Sequence, residues 1–169
     1  MIASLGIILI EFESRGVYHQ TMKITNRKAH YDYKLEEKFE AGIALLGAEV
    51  KAVRLGHADL TGSFARIIGS DAYLINAKIF PYEYARPEAY DPKRTRKLLL
   101  HKKQIISLKG RTAGSGLTIV PVSLYTNRHL IKLELALGKA KKKFEKKEAL
   151  KRKDIDRDIE EALKENLKI

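Results

Sequence analysis

The chain has 169 residues and no cysteine, which excludes a disulfide framework and a thiolate metal site. Its 33 Lys and Arg stand against 21 Asp and Glu, a net charge of +12 that calls for an anionic partner: nucleic acid, an anionic membrane surface or an acidic protein. Residues 23–138 carry 20 basic and 11 acidic side chains, residues 139–169 carry 12 and 8, and residues 1–22 carry one and two, so the field comes from a basic body and a basic tail.

Met1 to Ile10 is apolar but far short of the roughly 20 residues that cross a bilayer. No Lys or Arg precedes it and no small-residue cleavage pattern follows, so a secretory signal is not expected. Residues 1–21 read as a poorly ordered extension, or as sequence ahead of a true start at Met22.

Asn26 to His30 is polar and suits one helical turn. Tyr31 to Leu35 alternates as a strand, and Phe39 to Leu45 reads as a second strand or its continuation after a bend. Ala48 to Leu55 predicts a short helix with Leu46, Val50 and Val53 on one face, Glu49, Lys51 and Arg54 around the other, and Gly56 closing it. Ser63–Ile68 and Ala72–Ile79 flank Gly69-Ser70-Asp71, a hairpin signal.

Pro81 to Pro92 is a loop bearing Tyr82, Tyr84 and Tyr90. Lys97 to Leu108 places Leu98, Leu99, Ile105 and Leu108 at helical spacing, with Gly110 as its stop. Leu117–Tyr125 and Leu130–Leu137 flank Thr126 to His129 as a second hairpin. Short antiparallel strands with Gly-rich turns favour closure, which removes exposed edges. The expected fold is mainly β, an OB-like antiparallel barrel over residues 22–138 with two or three short helices; an open α+β sheet is the alternative.

From Lys139 to Lys147 only Phe144 is large and apolar, too little to fold alone. Ile155, Ile159, Leu163 and Leu167 then recur every four residues. Residues 139–169 are expected to form a basic tail, disordered when free and helical on an anionic partner.

The most informative stretch is Lys93-Arg94-Thr95-Arg96-Lys97, four cations in five residues directly before Leu98-Leu99-Leu100-His101-Lys102-Lys103. Cations crowded at the entrance of a helix oppose its macrodipole, so an anionic partner is the natural explanation. In so basic a chain that partner is a phosphate backbone. Lys51 and Arg54 lie one helical turn apart and can meet a backbone together. Tyr82 and Tyr84 could stack on exposed bases or pack over the barrel; packing is favoured.

Catalytic patterns are missing. The five His show no metal spacing, Gly114-Ser115-Gly116 lacks the nucleophile-elbow frame, and there is no phosphate-binding loop. Glu36, Glu37 and Glu40 are clustered acids that could hold a metal in an RNA-processing enzyme, but read better as strand-end charges or Arg partners. A non-enzymatic protein without cofactor or metal is expected.

Four motifs in order carry a resemblance: Asn26-Arg27-Lys28-Ala29-His30-Tyr31-Asp32-Tyr33; Phe39-Glu40-Ala41-Gly42-Ile43; Gly47-Ala48-Glu49-Val50-Lys51-Ala52-Val53-Arg54-Leu55-Gly56; and Arg94-Thr95-Arg96-Lys97-Leu98-Leu99-Leu100. Across about residues 23–155 the chain resembles small protein B (SmpB), the bacterial SsrA-binding family. The resemblance implies an OB-like barrel that binds the tRNA-like domain of tmRNA and delivers it to stalled ribosomes in trans-translation. It also implies a tail that enters the empty mRNA channel near the small-subunit decoding centre and becomes helical there.

By motif, the RNA-binding residues would be Asn26, Arg27, Lys28, His30, Glu40, Lys51, Arg54, Arg94, Arg96, Lys97, His101 and Lys102. Glu40 would orient a cation or accept from a base or ribose. The ribosome-binding tail would use Lys139, Lys141, Lys142, Phe144, Lys146, Lys147, Lys151 and Arg152. The family's usual Lys-Gly-Lys-Lys, variable residue, His or Tyr, Asp-Lys-Arg stands here with Ala140, Phe144, Glu145 and Lys147 as the departures. Elongation factor Tu and alanyl-tRNA synthetase would be met only through tmRNA; a cytoplasmic monomer away from membranes is implied. A structured-RNA-binding barrel without tmRNA specificity is the alternative.

Overall fold

The computed structural model describes residues 22–85 and 90–166. The elements, in chain order, are β1 (Lys23–Thr25), α1 (Arg27–Asp32), β2 (Tyr33–Ile43), α2 (Gly47–Arg54), β3 (Ala58–Asp59), β4 (Phe64–Ile68), β5 (Asp71–Ile75), β6 (Lys78–Ile79), β7 (Arg96–Leu99), α3 (Lys102–Thr112), β8 (Leu117–Asn127), β9 (Leu130–Ala140) and α4 (Lys143–Asn166). The expected extension over residues 1–21 lies outside the described residues, as do Leu167 and the side chains of Ile159 and Leu163 in the tail's apolar repeat.

The main sheet runs β1-β8-β4-β5-β7-β2-β9, and β9 pairs back onto β8, so six strands close a ring with β1 attached outside β8. Every pairing is antiparallel. The ring follows from its two longest strands. β8 buries an uninterrupted run from Ile119 to Leu124, and β9 buries Leu133, Leu135, Ala136 and Leu137. Strands apolar on both faces need cover on both faces. One side faces the core with Leu74, Ile79, Leu98 and Val53; α1 and α3 lie against β8. Gly138 pairs with Leu35 across β9 and β2, and a Cβ there would meet Tyr33 Cβ at 3.1 Å and Val120 Cγ2 at 3.2 Å.

Both hairpins form. β4 and β5 turn through Gly69-Ser70, with Gly69 at φ +65°. β8 and β9 turn through only Arg128-His129, with Arg128 at φ +54°, because Asn127 pairs with Leu130. The strand before Leu45 is continuous from Tyr33, and its bend is a register shift between Leu35 and Lys38. β8 has a matching irregularity between Pro121 and Ser123, where proline can give no ladder N–H. Asn26 uses that gap to anchor α1. Its Nδ2 donates to Pro121 O at 2.9 Å and Leu60 O at 3.0 Å, and its Oδ1 caps the helix at Ala29 N.

The helix expected over 97–108 is a correction. Arg96 to Leu99 is strand β7, paired with β5 and β2, and the helix begins only at Lys102 and runs through Gly110 to Thr112. Burial alternates along β7, with Arg96 and Leu98 in and Lys97 and Leu99 out. A buried arginine at the first inward position hid the strand's period of two.

β9 carries Lys139 and Ala140 into register with Lys34 and Tyr33, so the strand runs two residues into the segment read as the tail. α4 is a 24-residue helix whose first turns dock on α1. Lys141 N–H donates to Asp32 O at 2.9 Å, Lys141 Nζ to His30 O at 2.9 Å, and Lys146 Nζ pairs with Asp32 Oδ1 at 2.7 Å and lies 5.8 Å from the Tyr31 ring centre. No helix among the described residues is long and apolar enough to cross a membrane. Asp32→Ala removes the carboxylate that holds Lys146 at the base of α4, a solvent-screened pair of modest worth. Amide exchange over residues 142–150 is therefore expected to speed up roughly two- to fivefold, with the ring unchanged; unchanged exchange would show that Asp32 does not hold the helix base.

Candidate nucleic-acid interface

The positive edge at residues 93–97 is organised around one carboxylate. Glu49 stands in the first turn of α2, where its Oε2 accepts the Leu46 N–H at 2.9 Å and faces the positive helix end. Its side chain is fully buried, and it receives both arginines. Arg94 forks onto it, with Nε on Oε1 at 2.8 Å and Nη2 on Oε2. Arg96 donates to Oε1 from Nε at 3.0 Å and from Nη2 at 2.8 Å. Its remaining donors reach Ala77 O, Arg94 O and Pro92 O, so all five N–H groups are bonded inside the protein. Tyr90 Oη donates to Ile79 O at 2.8 Å and approaches Glu49 Oε1 at 3.4 Å.

Burial alone would raise the Glu49 carboxyl, but the hydrogen bonds from Arg94, the Leu46 N–H and Arg96 outweigh it and hold it below its ordinary 4.5.

Two expected RNA contacts are thereby corrected. Arg96 is 0% exposed and cannot reach a phosphate. Asn26 is 3% exposed, with its amide spent on the α1 anchor. Arg94 is partly exposed, but its fork is turned inward to Glu49. Glu49 itself lies on the buried face of α2 with Ala52 and Val53, not on the outer face expected for it, and Leu46 is exposed.

The remaining cations of that group face solvent. Lys97 pairs with Asp71 at 2.9 Å and is partly exposed. His101 caps α3, whose first turn holds Lys102 and Lys103 and no acid. The cationic helix entrance exists, but it is built by these two lysines. Arg27, Lys28 and His30 are exposed on α1, and Lys51 and Arg54 on α2. Arg54 Nη2 donates to His129 O at 3.1 Å. Lys51 Nζ lies 5.3 Å from the Tyr82 ring centre.

A second polar surface spans β2, β9 and β8. Glu40 accepts from Lys132 Nζ and Tyr125 Oη, and these bonds hold its carboxyl low. Partial burial and then the Glu40 bond push the Tyr125 hydroxyl up to about 12. Glu40 stands opposite Glu134 in register, a like-charge pairing relieved by Lys38 and Ser123 on Glu134. Glu40, Tyr125, Glu134 and Lys38 line an open cleft of about 490 Å³ with Lys23 and Phe39. Lys132 and Tyr125 were not expected here. A four-residue turn would set Tyr125 against Leu130, whereas the two-residue turn sets it against Lys132.

The acidic cluster is dispersed. Glu37 pairs with Arg111 and Glu40 with Lys132, and among the described residues no three His, Asp or Glu converge on a point. In the tail, Lys141 and Lys146 are engaged with α1. Lys139, Lys142, Lys147 and Lys151 are exposed, Arg152 pairs with Glu148, and Phe144 is 64% exposed.

Glu49→Ala strands two inward-turned guanidinium groups and is expected to cost about 3–5 kcal/mol in chemical denaturation. Because the folded carboxyl lies below its unfolded value, the stability it contributes is present above about pH 4.5 and is lost as pH falls through the folded value. Denaturation curves against pH are expected to lose that part of the acid-side slope in Glu49→Gln; an unchanged profile would contradict the assignment.

Comparison with known proteins places this architecture. The family model described as SmpB protein matches residues 23–165. An SsrA-binding protein of Carboxydothermus hydrogenoformans is 49% identical over 139 residues, covering 82% of this chain and 93% of its own length. One from a Sulfurihydrogenibium species is 48% identical over 145 residues, covering 86% and 95%. A solved chain from "tmRNA-SmpB: a journey to the center of the bacterial ribosome" superposes with a TM-score of 0.61 at 47% identity, covering 72% of this chain and 85% of that one. With the match running from β1 into α4 and nearly half the residues identical, the chain belongs to the SmpB family.

Proposed function

We propose that this chain is the RNA-binding adaptor of ribosome rescue. It holds the tRNA-like domain of tmRNA on its basic body and carries it to stalled ribosomes, where the tail occupies the empty mRNA channel near the decoding centre. The observation that carries this reading is the family match through residues 23–165, together with the likeness to a chain solved with tmRNA on the ribosome. The closed antiparallel ring supports an OB-like barrel as the platform. The protein acts by binding, not by catalysis, in the cytoplasm, and meets elongation factor Tu and alanyl-tRNA synthetase only through tmRNA.

The phosphate-facing residues proposed are Arg27, Lys28, His30, Lys51, Arg54, Lys97 and Lys102, with His101 beside them. All are exposed, and their spread over α1, α2, β7 and α3 supports contacts with a folded RNA. Glu40 orients Lys132 and Tyr125. Arg94 and Arg96 shape the edge from within. Lys139, Lys141, Lys142, Phe144, Lys146, Lys147, Lys151 and Arg152 are proposed for the ribosome, with Phe144 offering a ring for stacking.

Titration of the full chain against a tmRNA tRNA-like domain, with elongator tRNA as competitor, tests the reading. Binding that survives excess tRNA is expected; binding erased by tRNA would leave only a structured-RNA-binding protein. Lys28→Ala and Lys102→Ala are each expected to lower the slope of log affinity against log salt by about one unit. Arg96→Ala is expected instead to lower the melting temperature. Truncation after Lys142, which spares β9, is expected to keep RNA affinity within about twofold and abolish tagging on stalled ribosomes; a tail-less protein that still tags would refute the division of labour.

A further inference from the structure

Tyr82 and Tyr84 stand two residues apart in the loop after β6, and the structure gives them opposite environments. Tyr82 is half-buried and packs against the core. Tyr84 is 80% exposed, the most exposed of the large apolar and aromatic side chains described. The rings meet edge to face, 5.5 Å between centres and 61° between planes. Lys51 Nζ lies 5.3 Å from the Tyr82 ring centre, and Arg54 is exposed one turn further along α2. The core thus fixes Tyr82, Tyr82 braces Tyr84, and a cation stands beside the pair.

We infer that Tyr84, braced by Tyr82 and flanked by Lys51, is a stacking site for an unpaired nucleotide of the RNA partner. This deepens the RNA-binding reading above and rests on it. An edge-to-face contact leaves the outer ring open to solvent, and a nucleobase covers such a face whatever its identity. The nucleotide's own phosphate then falls to a cation on the same flank, the role Lys51 can fill without leaving the aromatic pair. A paired helix offers no free base face, so the site selects loops, bulges or ends. An apolar protein partner would meet a ring next to the charged Glu83 in sequence and near Lys51 on its Tyr82 brace, which suits a nucleotide better.

The test uses the full chain as wild type, Tyr84→Ala, Tyr84→Phe and Lys51→Ala. Affinity for the tRNA-like domain and for a fully paired blunt RNA duplex is read by anisotropy at several salt concentrations, with thermal melts alongside. Tyr84→Ala is expected to weaken binding to the loop-bearing RNA about 5- to 100-fold, with the salt slope, the duplex affinity and the melt unchanged. Tyr84→Phe keeps the ring and should stay within about twofold of wild type. Lys51→Ala should lower the slope by about one unit. Wild-type affinity for the loop-bearing RNA in Tyr84→Ala, or an equal loss on the duplex, overturns the stacking site and leaves the adaptor reading standing. If wild type fails to prefer the tRNA-like domain over elongator tRNA, the adaptor reading falls instead. The Tyr84→Ala ratio on that tRNA, which also carries unpaired loops, then still decides the stacking site.

Discussion

One buried carboxylate organises the region on which the rest of this fold depends. Glu49 ties the first turn of α2 to β7 through Arg96 and to the preceding loop through Arg94, and Arg96 in turn gathers the carbonyls of Ala77, Pro92 and Arg94. Burying an ion pair wins little net stability, because desolvation offsets the attraction. What this one supplies is position. Five fixed donors on one guanidinium leave a single arrangement in which all are satisfied, so α2, β7, the Ala77 carbonyl and residues 92–94 keep one relation to each other. The α2 helix that it fixes also carries Lys51 and Arg54.

The basic charge therefore has two jobs that composition cannot separate. Arg96 and, in large part, Arg94 are spent inward, while Lys97, Lys102 and Lys103 face solvent. Arginine suits the inward task because its planar fork satisfies several acceptors at once. Lysine, a flexible point charge, suits a water-facing surface that meets phosphate. The same division recurs at the tail, where Lys141 and Lys146 hold α4 to α1 and their neighbours remain free to meet a ligand. That dock is made of partly exposed polar contacts, so the tail leaves the body at a defined place without being locked there.

The acids follow a matching logic. Glu40, Glu37 and Asp32 each sit against a cation from a distant element, so they tune and orient the basic surface instead of forming a site of their own. Glu40 and Glu134 face each other across two strands, a repulsion tolerated only because Lys132, Tyr125, Lys38 and Ser123 converge on them.

Much of this was legible in the chain itself. The two hairpins, the α2 helix with its closing glycine and the apolar runs of β8 and β9 are local patterns, and local spacing determined them. So did the excess of charge and the four ordered motifs that mark the family. Tertiary structure alone decided the rest, because it depends on partners far apart in sequence. Arg96 reads as a surface cation until Glu49, 47 residues earlier, is placed beside it, and its burial is what hid strand β7. Asn26 reads as a polar contact until the irregularity at Pro121 offers it two carbonyls. Lys132 and Tyr125 join Glu40 only once a two-residue turn sets the register. Tyr82 and Tyr84 look equivalent in sequence, and only the core beneath one of them makes it a brace and leaves the other open.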